Sequence, residues 1–212
     1  MEEKGIDGLY ISTLFNLDAE IYPLLMQSLE LGRSFIIKEY QKRPTPLFIL
    51  WKALLFSVLK SDARYLIGPV SISGKYTDEA KSLTLLFLAK YFCLDDLSQF
   101  IHPKNQYELQ LPGDFNEEDF MNSVGNDFNK LDKYIQQYEE GYHTPILVRQ
   151  YISLLGTRVI GFNIDPNFNY CIDALMLMDL SKAPKQTIES LVKDFPNPTA
   201  IYEKLKNFEF RA

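Results

Sequence analysis

Two apolar runs constrain this chain most: Leu29-Glu30-Leu31-Gly32-Arg33-Ser34-Phe35-Ile36 and Arg64-Tyr65-Leu66-Ile67-Gly68-Pro69-Val70-Ser71-Ile72-Ser73. Each reads as a short strand that feeds a helix. The first helix is predicted over residues 47–60, apolar nearly all round and interrupted by Lys52 and Ser57. Pro44 and Pro46 stiffen its start, and Pro46 suits a first helical turn. The second helix is predicted to begin at Thr77, an N-cap residue, with Asp78 and Glu79 in the first turn where the helix dipole favours anions. It runs to about Cys93, with Leu83, Leu86, Phe87 and Lys90 at helical spacing. Strands that alternate with helices predict an α/β (α+β) fold with a mixed central sheet and flanking helices.

The remaining segments extend this pattern. Residues 9–14 read as extended, 18–27 as a short helix, and 29–37 as the first of the two strands. Thr144-Pro145 opens a helix over 146–155 that Gly156 closes. Residues 157–164 and 171–180 read as strands joined by the turn Asp165-Pro166-Asn167. A short helix is expected over 186–193, broken by Pro196 and Pro198, with a helical tail beyond. The 212 residues, 46% hydrophobic and 24% charged, suffice for one globular domain with a real core.

Several classes of protein fit poorly. The helix over 47–60 is too short to span a bilayer, which takes about 20 residues; burial beneath a sheet is the plain reading. A charged segment followed by an apolar one, as in a secretory leader, is not seen at the start, which predicts a cytoplasmic location. Cys93 and Cys171 each sit in an apolar stretch without a partner at metal-ligand spacing, as buried free thiols in a reducing compartment do. The net charge of −6 is concentrated in residues 105–143, which hold nine acidic and two basic side chains. This stretch reads as a solvated helical insertion, or else as a lid or a docking face for a basic partner. An acidic partner would be repelled there and would dock near Lys38, Lys42, Arg43 and Lys52. Basic stripes with interleaved aromatics, which nucleic acid would require, are not evident.

Three blocks carry a family resemblance that spans roughly residues 9–193. They are Tyr10-Ile11-Ser12-Thr13-Leu14-Phe15-Asn16-Leu17 leading into Glu30-Leu31-Gly32-Arg33-Ser34, then Gly68-Pro69-Val70-Ser71-Ile72-Ser73, then Pro145-Ile146-Leu147-Val148-Arg149-Gln150-Tyr151 with Gly161-Phe162-Asn163-Ile164-Asp165-Pro166-Asn167-Phe168. In this order they resemble the acyl-CoA N-acyltransferase (GNAT) fold. The closest likeness is to its hemolysin-like branch, which includes bacterial aminolipid synthases that acylate ornithine or glycine. The acyl-homoserine lactone synthases are a more distant likeness. The resemblance implies that the two central strands splay apart to grip an acyl thioester. By the family pattern the chain opens after the first strands, so part of the acceptor-side sheet is expected to be absent. Residues 41–46 lack the Gly-rich pyrophosphate loop of ordinary acetyl-CoA-dependent members, which favours carrier-bound acyl chains.

The implied activity is transfer of a fatty acyl group, plain or 3-hydroxylated, from acyl carrier protein or acyl-CoA to an amino-acid amine. Such chemistry needs a proton acceptor for the amine and hydrogen-bond donors for the developing oxyanion. It needs no permanently bound cofactor and no metal. Glu30 and Arg33 lie three apart and point to opposite faces of a regular strand, so they cooperate only if a bulge at Gly32 shifts the register. Resemblance to the Glu-x-x-Arg element of the homoserine-lactone synthases supports that pairing, with Glu30 as proton acceptor, directly or through water, and Arg33 orienting it or the acceptor carboxylate; a structural ion pair is the alternative. The donor side is assigned to Ser34, Phe35 and Ile36 after Arg33, to Lys42 and Arg43, and to Ser71 and Ser73 between the splayed strands. Asp165 is a candidate to hold the amine and Asn163 to hydrogen-bond the substrate, although Asp-Pro-Asn is itself a good turn former. Trp51, with Phe48 and Phe87, is a candidate wall for an acyl tunnel or plain core.

Two other readings stay open from the sequence. One is a non-catalytic or truncated domain that binds acyl thioester or lipid and assists a partner O-acyltransferase. The other adds peripheral contact with the inner membrane, or a homodimer formed through an incomplete sheet edge. The literal hemolysin label finds no support, because no membrane-length apolar run and no cationic amphipathic helix is evident.

Overall fold

The run from Cys171 to Asp179 is apolar at most positions because layers of structure cover both of its faces, as in strands buried on two sides. The computed structural model describes residues 5–32, 36–40, 44–61 and 63–206. In chain order its elements are α1 (Ile11–Leu14), β1 (Phe15–Leu17), α2 (Tyr22–Leu25), β2 (Ser28–Glu30), α3 (Pro44–Ser61), β3 (Tyr65–Ile72), α4 (Asp78–Phe92) and α5 (Asp95–Ser98). They continue with β4 (Ile101–Pro103), α6 (Glu117–Val124), α7 (Phe128–Ile135), α8 (Ile146–Leu155), β5 (Arg158–Asp165), β6 (Cys171–Asp179), α9 (Lys185–Val192) and α10 (Pro198–Lys206). The main sheet has the order β2-β3-β6-β5, with β2–β3 parallel and the other pairs antiparallel. The parallel pair requires a crossover, and α3 supplies it. A second, two-stranded antiparallel sheet joins β1 to β4.

Alternation along β6 sorts the core into layers. Ile172, Ala174 and Met176 pack with Val70, Leu83, Phe87, Phe120 and Phe128 under α4, α6 and α7. Met178 continues that face into a second cluster with Trp51, Leu55, Leu66, Leu155, Ile188 and Leu191 from α3, α8 and α9. On the opposite face Leu175 and Leu177 meet Ile11, Phe15, Ile67, Ile101 and Ile160. The acidic stretch is helical over Glu117–Val124 and Phe128–Ile135, and Glu117, Glu118 and Asp119 are exposed in the first turn of α6. It is also built into the core: Phe120, Val124, Phe128, Leu131 and Ile135 are buried, and Tyr142 shares a 2.6 Å hydrogen bond with Thr84 inside. Asp132 accepts from Thr144 N (2.9 Å), Thr144 Oγ1 (2.6 Å) and Arg149 Nη2 (2.7 Å), which fixes the start of α8.

Two expectations are corrected. Residues 9–14 are not extended, because Ile11–Leu14 forms a helical turn. The Glu30 carboxylate accepts the backbone N–H groups of Tyr10 (2.8 Å) and Ile11 (2.7 Å), so a side chain from β2 satisfies donors at a helix start that local sequence leaves open. The strand expected over 29–37 ends at Glu30, and Lys38–Tyr40 is a short 3-10 turn. The final ladder contact is Leu31 N to Ile67 O at 2.7 Å.

Candidate active site

The site arises where β2 stops and β3 does not. Glu30 pairs with Ile67, whereas β3 continues to Ile72, so beyond Ile67 this edge of β3 meets no strand among the described residues. Because Ile67 turns its carbonyl toward β2, alternation puts Pro69 and Ser71 on the same edge. Proline is tolerated there because an edge position needs no ladder N–H. Gly68 permits the close approach just before the strands part: a Cβ at that position would stand 2.2 Å from the Leu31 carbonyl oxygen.

A cavity of about 620 Å³ opens at this gap, bordered by Leu31, Gly32 and the bare edge of β3. Its lining comes from both faces of the sheet. On the helix side the wall is apolar, built from Trp51, Leu54 and Leu55 of α3, Leu147 and Tyr151 of α8, Met176 and Met178 of β6, and Ile188 and Leu191 of α9. Burial pushes the Tyr151 hydroxyl above its ordinary range. On the other face the cavity meets Tyr10, Ser71, Asp165, Asn167, Phe168 and Asp173. Thus one end is oily and the other carries two carboxylates.

The polar end is held by the β5–β6 hairpin and β3. Ser71 and Asp173 are cross-strand partners, and Ser71 Oγ donates to Asp173 Oδ1 at 2.6 Å. Asp173 is 3% exposed. Burial raises its carboxyl above the usual range, Asp165 adds to the rise, and the Ser71 and Cys171 hydrogen bonds oppose it. Cys171, with Sγ 3.8 Å from Asp173 Oδ1, is pushed up to about 11 by burial and by the adjacent carboxylate. Asp165 Oδ1 accepts from Asn167 N at 2.8 Å, so the turn chemistry is present and its carboxyl still reaches the cavity wall. Both cysteines are free; Cys171 is buried, whereas Cys93 is only partly so.

The structure brings together Ser71, Asp165 and Trp51 of the residues expected from sequence. Arg33, Ser34, Phe35, Lys42 and Arg43 lie outside the described residues. Ile36 is half-buried and does not line the cavity. Ser73 lies past β3, exposed, and its hydroxyl accepts from Lys75 N at 3.2 Å. Asn163 is fully buried and away from the cavity lining; its Oδ1 accepts from Asn105 N (2.9 Å) and its Nδ2 donates to Ile164 O (3.0 Å). Glu30 also stands off the lining, engaged with α1. Gly32 borders the cavity beyond the end of β2, and the bulge in the main sheet falls in β5, between Val159 and Gly161. Trp51 is 7% exposed, with its ring centroid 6.3 Å from that of Tyr151; Phe48 is half-buried against the same cluster, and Phe87 lies in the core under α4. Asp173 is the residue that sequence reading missed. Its signal is an acid inside the otherwise apolar first eight positions of β6.

Among the described residues no group of His, Cys, Asp and Glu is placed to hold a metal ion, and no helix is long and apolar enough to cross a membrane. Residues 1–52 match the acetyltransferase (GNAT) domain family. Over 215 aligned positions the chain is 28% identical to the glycine N(alpha)-acyltransferase of Phocaeicola vulgatus, covering 94% of this chain and 64% of the relative. It is 31% identical over 179 positions to the glycine N(alpha)-acyltransferase of Bacteroides thetaiotaomicron, covering 79% of this chain and 51% of the relative. The chain therefore spans about half to two thirds of the length of these curated relatives. No solved structure matches it.

Proposed function

We propose that the chain is an N-acyltransferase that moves a long-chain acyl group from a thioester to the α-amine of glycine or a similarly small amino acid. One observation carries this reading: a single cavity joins an apolar wall on the helix face of the sheet to a carboxylate-bearing end on the other, at the gap left by β2. An acyl chain has a place against Trp51, Leu54 and Met178, and an ammonium has one beside Asp165 and Asp173. The thioester carbonyl then lies beside the edge of β3 beyond Ile67, which among the described residues pairs with no strand and offers the Ser71 N–H as a donor. Similarity to two proteins named glycine N(alpha)-acyltransferase supports the choice of acceptor.

The donor is acyl carrier protein or acyl-CoA. An acidic carrier would be repelled by residues 114–119 and attracted by exposed Lys38. Lys52 on α3 is engaged by Asp194. The product is an acylated amino acid of the aminolipid type, suited to release at a membrane surface or to a partner O-acyltransferase. Glu30 acts as a positioning group that sets Tyr10 at the cavity rim.

A donor panel tests this reading. Wild-type chain is offered acyl-CoA and acyl carrier protein of increasing chain length, with and without glycine, and thiol release is followed. Glycine-dependent release with long donors is expected. Leu54→Trp, on the half-buried part of the apolar wall, is expected to shift preference toward shorter chains by about tenfold, a change of about 1.4 kcal/mol. Release that ignores glycine, or an equal loss at every chain length in the variant, refutes it.

A further inference from the structure

We propose that Asp173 is the group that takes the proton from the acceptor's ammonium, with Ser71 fixing its carboxylate and Asp165 helping to hold the incoming cation. This rests on the acyl-transfer reading and assigns the acceptor end of the same cavity.

The geometry supports it in three ways. Asp173 is almost fully buried yet lines the cavity, so its way to solvent is through the place where substrate would sit. Both hydrogen bonds it receives, from Ser71 Oγ and Cys171 Sγ, go to Oδ1; among the described residues none goes to Oδ2. No arginine or lysine among the described residues pairs with it. A buried carboxylate without a cation is costly, and proteins retain such groups at sites where a ligand completes them. A primary ammonium supplies the missing charge, and Asp165 supplies a second carboxylate at the same cavity wall.

The step balances without another reactant. The ammonium gives one proton to Asp173 Oδ2, and the freed nitrogen lone pair bonds to the thioester carbonyl carbon. Collapse of the tetrahedral adduct breaks the C–S bond. The nitrogen's second proton goes to the departing thiolate, and Asp173 returns its proton to water. The products are an amide, a thiol and one proton. Burial and the like charge of Asp165 make Asp173 a better base than an exposed carboxylate.

The titratable groups facing Asp173 are Asp165 from the end of β5 and Cys171 from its own strand, with the Ser71 hydroxyl from β3. They act in opposite directions, which gives a readout that a structural role would not move. The test measures kcat against pH for the whole chain with glycine and palmitoyl-CoA or palmitoyl carrier protein. Asp173→Asn, which keeps an acceptor for Ser71, should lower kcat by about 100-fold or more while palmitoyl-CoA still raises the melting temperature. Asp165→Asn should move the acid limb to lower pH, and Ser71→Ala should move it to higher pH. Asp173→Asn with more than a tenth of wild-type kcat, or acid limbs that stay still in both other variants, overturns the assignment and leaves acyl transfer intact. Wild-type chain that releases no thiol in response to glycine overturns both.

Discussion

Two aspartates on one strand make the sharpest contrast in this molecule. Asp173 and Asp179 lie six residues apart on β6, point to the same face, and stand opposite Ser71 and Tyr65 of β3. Asp179 is matched on every side: Arg64 grips it through Nε (3.2 Å) and Nη2 (2.9 Å), and Ser181 donates through its backbone N (3.0 Å) and its hydroxyl (2.6 Å). Burial works against its charge, but Arg64 and Ser181 outweigh that and hold the carboxyl below its ordinary value. Asp173 has a hydroxyl, a distant thiol and a cavity, and its carboxyl is raised. One strand thus carries a carboxylate that Arg64 and Ser181 complete and one that no cation meets among the described residues. The second one lines the cavity.

Removing each charge in turn separates the two aspartates most sharply. Asp179→Asn should cost about 2 kcal/mol of stability, the scale of hydrogen bonds to a charged group, with little change in kcat. Asp173→Asn should do the reverse, losing turnover without losing stability. The pH dependence separates them further. A lowered carboxyl contributes stability above its unfolded pKa of about 3.9 and loses it as pH falls through the folded value. Hence the gap between wild type and Asp179→Asn should close on acidification. A raised carboxyl costs stability as pH rises through its folded value, so Asp173→Asn should melt above wild type at neutral pH and match it in acid. Thermal melts from pH 3 to 8, bounds of about that range, check both signs.

The gap itself is probed at Gly68. Gly68→Ala drives a methyl group against the Leu31 carbonyl and should cost about 1–3 kcal/mol, the usual range for overpacking. Acyl-donor affinity should fall with it, read as lost thermal protection by palmitoyl-CoA. The smallest effect is expected at Glu30. Glu30→Gln keeps one acceptor oxygen for the N–H groups of Tyr10 and Ile11 and should cost about 1 kcal/mol. Its turnover should stay within about tenfold of wild type, against the 100-fold or greater loss at Asp173.

Much of the fold was legible because local rules and tertiary packing agree. Thr77 caps α4 through Ala80 N at 3.2 Å, Gly156 closes α8 in a left-handed conformation, and β3, β5 and β6 fall within two residues of their expected bounds. The clearest failure has a partner distant in sequence as its cause. Residues 11–14 turn helical beside a carboxylate some twenty positions away. The candidate site divides the same way. Asp165 showed itself through its turn, whereas Asp173 lay inside an apolar run, and its meaning depends on Ser71 about a hundred residues upstream and on a cavity that no spacing reveals.

The most direct test of the account is mass spectrometry of the product formed from isotopically labelled glycine and palmitoyl-CoA or palmitoyl carrier protein. Labelled N-palmitoylglycine is expected, one for each thiol released. Thiol released without the amide, or neither product formed, would contradict it.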